Sequence, residues 1–276
     1  MRTARQPGVR GRTEEERRSF MNVKEKMILV TGGAGGLGGA MAKLLSQNGA
    51  KLLLMDLEAT REKGEALAAQ LRAGGNEAWF FSADVTSEDD WRKAVAFAME
   101  HAGKIDVLIN NAGINIRKPV EEMSIDEWMT MMKVNTGSAF LGCKYAIPVM
   151  RAQGGGVIIN TSSVCGLIGH RYTTEAYTAT KGAITTLTKA IASRYAKDNI
   201  RCNSIHPSTV DTPFIQQLFS DPVKGTQFRA ERLGEVPLGR LATAEDVANA
   251  VLYLASEEAS FINGVALPID GGVTCY

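Results

Sequence analysis

Tyr177 and Lys181 stand four residues apart in "YTATK", so on a helix they share one face. A lysine ammonium beside a phenol favours the phenolate, lowers the tyrosine pKa and makes it usable as a general base near neutrality. Ser163 lies 14 residues upstream in "INTSSVCG", at the end of an apolar run that reads as a strand pointing the same way. Hydroxyl, phenol and ammonium together suit proton transfer at a substrate oxygen. Ser162 and Tyr172 are the neighbouring alternatives, although Tyr172 has Ala176 rather than a lysine at the fourth position after it.

A second chemistry is written in "VTGGAGGLGGAMAKLLSQNG", residues 30–49, with six glycines among its first ten positions. Two fingerprints fit it. Gly33, Gly35 and Gly38 satisfy G-x-G-x-x-G; Thr31, Gly32, Gly36 and Gly38 satisfy T-G-x-x-x-G-x-G. The order is apolar run, glycine loop, helix. Glycines there let the backbone approach a pyrophosphate, whose charge meets the unpaired N–H groups of the helix start. Asp56 ends the next apolar run, 18 residues after Gly38. Its carboxylate suits both adenosine ribose hydroxyls and would repel a 2′-phosphate, and Leu57 follows with no Arg or Lys beside it, which favours NAD over NADP. Asp84 and Val85 close the third apolar run, where an adenine would sit.

The elements that position these residues alternate from Met27 onward. Runs such as "MILVTGG", "AKLLLMD", "AWFFSAD", "IDVLINNAG", "GVIINTSS", "IRCNSIHP" and "GVALPIDGG" read as strands. Between them lie a helix with Leu37, Met41, Leu44 and Leu45 on one face, closed by Gly49, and an amphipathic helix from Glu58 to Ala73. Ser87 caps another, Ser124 and Glu127 form a capping box, Ala176–Ala196 is helical, and a capped helix starts at Thr243. Continuously apolar strands are buried on both faces. The expectation is an α/β fold: a single-domain, Rossmann-like, doubly wound parallel sheet of about seven strands, with helices on both faces. Its ligands would bind beyond the carboxyl ends of the strands.

The chain has 276 residues and a net charge of +1, which gives no reason to expect a nucleic acid or a membrane as partner. No apolar run reaches transmembrane length. Four scattered cysteines and three histidines suggest neither a metal site nor a disulfide framework, so a cytoplasmic setting is expected. Residues 1–22 read as a basic N-terminal extension, and 23–276 as the dinucleotide-binding domain.

Taken together, these residues resemble the short-chain dehydrogenase/reductase family from Lys26 to the C-terminus. The resemblance is carried by "TGGAGGLG", "NNAG" at 110–113, Val134-Asn135, "SSVCG" at 162–166, "YTATK" and "IDGG". "RCNSIHPSTVDTPF" and "GRLATAEDVANAVLYLAS" look most like the NAD-using alcohol and hydroxy-acid branches.

The resemblance implies reversible NAD-dependent oxidation of a secondary alcohol, hydroxy acid or polyol to a ketone. Tyr177 would be the general acid/base, and Lys181 would lower its pKa and hold the nicotinamide ribose. Ser163 would bond the substrate oxygen, chosen over Ser162 because Gly166 stands three residues after it. Asn135 would hold a water of the proton relay. Gly32, Gly36, Leu37 and Gly38 would form the pyrophosphate loop, which selects the second glycine fingerprint. Asp56, Asp84, Val85, Asn111, Ala112 and Gly113 would flank the cofactor, with Asn111 mainly joining central strands. Pro207, Val210 and Thr212 would border the nicotinamide. Pro-Gly is usual in the family where Pro207-Ser208 stands here, so a left-handed backbone there would strain the serine.

The substrate pocket is expected between Asn115-Ile116, residues 167–175 and a lid over 213–235. Lys224, Arg229 and Arg232 on that lid read as a solvated surface, with a substrate carboxylate as the alternative. An NADPH-dependent ketoacyl reductase and a catalytically silent NAD-binding sensor are the competing functions. The resemblance further implies a homotetramer, or a homodimer, built through helices at 138–151 and 176–196.

Overall fold

The structure, a computed structural model, describes residues 21–275; the first twenty residues of the basic extension lie outside them. The elements begin with β1 (Met27–Thr31), α1 (Gly36–Gln47), β2 (Lys51–Asp56), α2 (Arg61–Ala73), β3 (Ala78–Ser82), α3 (Glu88–Ala102) and β4 (Val107–Asn110). Next come α4 (Ile125–Met131), a π-helical turn (Met132–Gly137), α5 (Ser138–Ala152), β5 (Gly156–Thr161), α6 (Glu175–Tyr195) and β6 (Ile200–Pro207). The chain closes with β7 (Val210–Asp211), α7 (Pro213–Phe219), α8 (Gly225–Gly234), β8 (Ala242–Thr243), α9 (Ala244–Ala255) and β9 (Ala266–Ile269).

The main sheet is parallel throughout, in the order β3-β2-β1-β4-β5-β6-β9. The order reverses between β1 and β4, and such a switch point leaves a crevice beyond the strand ends. Both faces of the sheet are covered. Ile28 and Val30 of β1 join one apolar cluster with Met41 and Leu45 of α1 and Val251 of α9. Met27 and Leu29 join the other, with Trp91 of α3 and Ile147 of α5. This two-sided burial is why the strand sequences are apolar without alternation.

Helix ends follow the sequence signals. Ser87, Ser124 and Thr243 cap their helices, the last two with reciprocal capping boxes. Two expectations need correction. Residues 58–60 form a 3₁₀ turn, so the regular helix starts at Arg61. The small β7–β8 sheet was not anticipated, since two-residue strands show no periodicity.

Candidate active site

The glycine loop between β1 and α1 is tight at several of its glycines. Gly32 has φ +64°, and a Cβ on Gly38 would lie 2.1 Å from the Gly32 carbonyl oxygen. Side chains at these two positions would push the loop off the helix start. Gly33 also leaves no room for a side chain, since a Cβ would meet the Val30 carbonyl oxygen at 2.9 Å and Leu54 Cα at 3.1 Å, whereas Gly35 is extended and faces only the end of Lys63. Gly36, Leu37 and Gly38 form the first turn of α1, whose N–H groups have no intrahelical partners. The Leu37 side chain turns into the core, so its share of the loop is its backbone.

A cavity of about 590 Å³ opens along this loop, and Gly32, Asp56, Asp84, Val85, Asn111, Ala112 and Gly113 all line it. Asp56 accepts the Ala34 N–H (3.0 Å) and the Leu57 N–H (2.8 Å), which fixes its carboxylate at the rim. The Asp84 carboxylate accepts both the N–H and the hydroxyl of Thr86, and the Val85 carbonyl accepts the buried Trp91 indole N–H. Asn111 ties the strand ends together. Its N–H donates to Thr31 Oγ1 (2.9 Å) and its side-chain amide to the Thr31 carbonyl (3.1 Å).

Ser163 and Tyr177 line a second cavity, of about 570 Å³, with Asn115, Thr174, Ser208, Ile215 and Arg232 among its walls. It coincides with the pocket expected from sequence. The neighbouring Ser163 hydroxyl and Arg117 guanidinium favour the Tyr177 phenolate. Burial is the larger effect and holds the Tyr177 phenol above its ordinary value. Lys181, expected to favour the phenolate, stands behind the ring. The ammonium lies 5.5 Å from the Tyr177 ring centroid and donates to the Thr161 carbonyl (2.8 Å), so it faces the ring and the β5 end. Lys181 is itself buried, and burial pushes its pKa down to about 8.

Ser162 is occupied elsewhere. Its hydroxyl donates to the Lys181 carbonyl (2.8 Å), and a Cβ on Gly166 would strike it at 2.5 Å. Tyr172 lines the same cavity as Tyr177 but carries Arg232 over its ring at 4.6 Å. Asn135 sits in the π-helical turn, a form that recurs at functional sites. Its amide accepts the Ile114 N–H (2.7 Å) and donates to the Ile114 carbonyl (2.9 Å) and Thr180 Oγ1 (3.0 Å). These bonds clamp the loop after β4 against α6.

Beyond β6, Ser208 and Thr209 line the second cavity; Pro207, Val210 and Thr212 line neither of the two. The Val210 side chain is buried in the core, Thr212 caps α7, and the Pro207 carbonyl accepts the Ser163 hydroxyl at 3.5 Å. Ser208 does not have positive φ, so serine there carries no left-handed strain.

Three features were missed in the sequence. His206, fully buried within β6, lies 2.8 Å through Nδ1 from the Ser163 carbonyl and 2.8 Å through Nε2 from Ser204 Oγ. A carbonyl only accepts, so Nδ1 carries the proton and Nε2 accepts from the serine. Arg232, expected on a solvated lid, is only 6% exposed, whereas Lys224 and Arg229 are exposed as expected. The Lys63 ammonium lies 3.1 Å from where a Cβ on Gly35 would stand, which brings a cation to the glycine loop.

Comparison with known proteins agrees with this geometry. A family model described as Enoyl-(Acyl carrier protein) reductase matches residues 32–274. The chain is 42% identical over 252 residues to cyclopentanol dehydrogenase of Comamonas sp., covering 91% of this chain and 98% of that one. It is 40% identical over 258 residues to trans-4-hydroxycyclohexanecarboxylate dehydrogenase of Sinomonas cyclohexanicum, covering 91% and 94%. Among solved structures, levodione reductase superposes with a TM-score of 0.85 at 33% identity, over 92% of this chain and 99% of that one. A glycine loop at the switch point, a serine and tyrosine sharing a cavity wall with a lysine behind them, and these relatives along nine-tenths of the chain agree: the protein belongs to the short-chain dehydrogenase/reductase family.

Proposed function

We propose that this protein is an NAD-dependent dehydrogenase that interconverts a secondary alcohol and a ketone, with Tyr177 as general acid/base. The observation that carries this reading is the shared cavity wall of Ser163 and Tyr177, backed by Lys181 and adjoining the glycine-loop crevice. The names of the relatives point the same way.

The glycine loop fits a dinucleotide, because a Cβ at Gly38 would fill the cradle beside the helix start. Gly32, Gly36, Leu37 and Gly38 would hold the pyrophosphate, Asp56 the adenosine ribose, and Asp84, Val85, Ala112 and Gly113 the crevice walls. When bound, the nicotinamide supplies the acceptor for hydride from the carbinol carbon. In oxidation the Tyr177 phenolate takes the hydroxyl proton, and Ser163 holds the same oxygen. In reduction the Tyr177 phenol returns that proton. Lys181 keeps positive charge behind the ring and holds the nicotinamide ribose. Asn135 fixes the Ile114 loop and supports a water-borne proton path from Lys181. Pro207, Val210 and Thr212 set the backbone bordering the nicotinamide.

Asp56 favours NAD. An NADPH-dependent carbonyl reductase is the second reading, and Lys63 at the loop is the observation in its favour. A silent sensor would have no use for a buried ammonium behind a phenol. Exposed Met129 and Phe140, on α4 and α5, support association into a homotetramer or homodimer. No helix among the described residues is long and apolar enough to cross a membrane; a cytoplasmic setting remains part of the proposal, as does the division into residues 1–22 and 23–276.

The test is reduced-cofactor absorbance with cyclic secondary alcohols and either nucleotide. Tyr177→Phe should lower kcat by about 10³-fold or more while NAD still binds. Retained turnover would remove Tyr177 from its role. Asp56→Asn should cut the NAD-to-NADP ratio of kcat/KM by at least about tenfold.

A further inference from the structure

The substrate cavity is built for charge, more than an uncharged alcohol requires. Arg117, Lys118, Arg171 and Arg232 line it against one carboxylate, Glu175. Lys118 is neutralised by Glu127 outside the cavity. Arg232 is buried, with its guanidinium over the rings of Tyr172 (4.6 Å) and Phe228 (4.8 Å). It donates to the Tyr172 carbonyl at 2.5 Å but approaches Glu235 only at 3.5 Å, and Glu235 is shared with His170 at 3.4 Å. The Arg117 guanidinium lies 6.0 Å from the same Phe228 ring, and its charge disfavours that of Arg232. Two guanidinium groups therefore meet at one aromatic ring within reach of Tyr177, with Glu235 the carboxylate beside Arg232.

A second observation points to a polar ligand. His170 Nδ1 and Ser208 Oγ are buried without a hydrogen-bond partner in the protein, and both residues line this cavity. Only about a tenth of the His170 side chain is exposed. A purely apolar alcohol would leave both atoms unsatisfied, at a cost that native structures rarely accept.

We propose that the alcohol oxidised at this site carries a carboxylate, held by Arg232 and Arg117 while its carbinol lies at Ser163 and Tyr177. Planar guanidinium groups match a carboxylate with two parallel hydrogen bonds. The inference deepens the dehydrogenase reading and rests on it for the reaction, but anion binding is separable from turnover.

The experiment pairs 4-hydroxycyclohexanecarboxylate with its methyl ester as substrates with NAD. In parallel, calorimetry follows cyclohexanecarboxylate, which has no carbinol to oxidise, binding in the presence of NADH. The acid should exceed the ester in kcat/KM by at least about 30-fold, and Arg232→Lys or Arg117→Gln should lower that ratio at least about tenfold. Arg117 sits on an exposed loop, so its variant keeps the test open if changes at buried Arg232 unfold the lid. An ester turned over as well as the acid, or a ratio that neither variant moves, overturns the proposal. If none of the alcohols is oxidised, the dehydrogenase reading fails. Carboxylate binding that weakens in Arg117→Gln then still upholds the anion site, and absent binding sinks it.

Discussion

The Lys181 ammonium lies 5.5 Å from the centroid of the Tyr177 ring, and its hydrogen bond runs to the Thr161 carbonyl. The pair thus places a cation behind the phenol while burial keeps the phenol's proton on. Proton affinity at this site is set by opposing effects, and the pH dependence of the reaction should report them.

Because the Tyr177 phenol sits above its ordinary value, the base form needed for oxidation is scarce at neutral pH. The kcat/KM for alcohol oxidation should climb from pH 6 to about 8, where Lys181 begins to lose its charge, and that for ketone reduction should hold or fall. A flat oxidation profile would count against Tyr177 as base. Lys181→Met should cost oxidation about 10²–10⁴-fold, the range typical of lost acid–base assistance.

The glycine loop offers a paired prediction. Gly38→Ala drives a Cβ to 2.1 Å from the Gly32 carbonyl oxygen, and should destabilise the fold by about 1–3 kcal/mol and weaken NAD binding. Gly35→Ala meets only the flexible end of Lys63 and should stay within about 0.5 kcal/mol of the parent. Chemical denaturation and nucleotide titration of both variants would decide it. Equal effects would mean that the loop register is wrong.

His206 should act through Ser163, as a positioning residue. His206→Asn can keep a donor toward the Ser163 carbonyl, whereas His206→Leu leaves that carbonyl only the Gly166 N–H (2.9 Å) and Ser204 only the Val265 carbonyl (3.4 Å), costing about 1 kcal/mol. The leucine variant should lose kcat with little change in nucleotide affinity, and asparagine should restore part of it. Equal kcat in both variants would reduce His206 to packing.

Burial also lowers the His206 pKa, so below its ordinary value of about 6.5 the unfolded chain takes up the proton first. Stability present above that pH is therefore lost on acidification. His170 is lowered too and acts in the same direction. His206→Asn should accordingly flatten part of the fall in Tm between pH 7 and 5, and an unchanged slope would refute the contribution.

Most of this fold is written locally. Strands covered on both faces carry uninterrupted apolar residues, and Ser87, Ser124 and Thr243 announce their helices by short-range hydrogen bonds. The "YTATK" spacing is likewise a property of one helix turn. What escaped the sequence depends on partners far along the chain. The turn at 132–137 becomes π-helical around Asn135, whose side chain is fixed by the backbone of Ile114. Arg232 lies on a largely polar helix with no apolar stripe to show which face turns inward. His206 is hidden inside a strand reading, and its meaning rests on a carbonyl 43 residues away. The Tyr177 pKa follows from desolvation, which no spacing of residues reveals.

Thr31 carries a consequence of another kind. Its single hydroxyl accepts the N–H groups of Asn111 (2.9 Å) and Ala112 (3.0 Å) and faces the Ile109 carbonyl at 3.4 Å. The two walls of the cofactor crevice are riveted at their base by one oxygen. Parting β1 from β4 would break both of these bonds at once, so the two strand ends beneath the crevice behave as one unit.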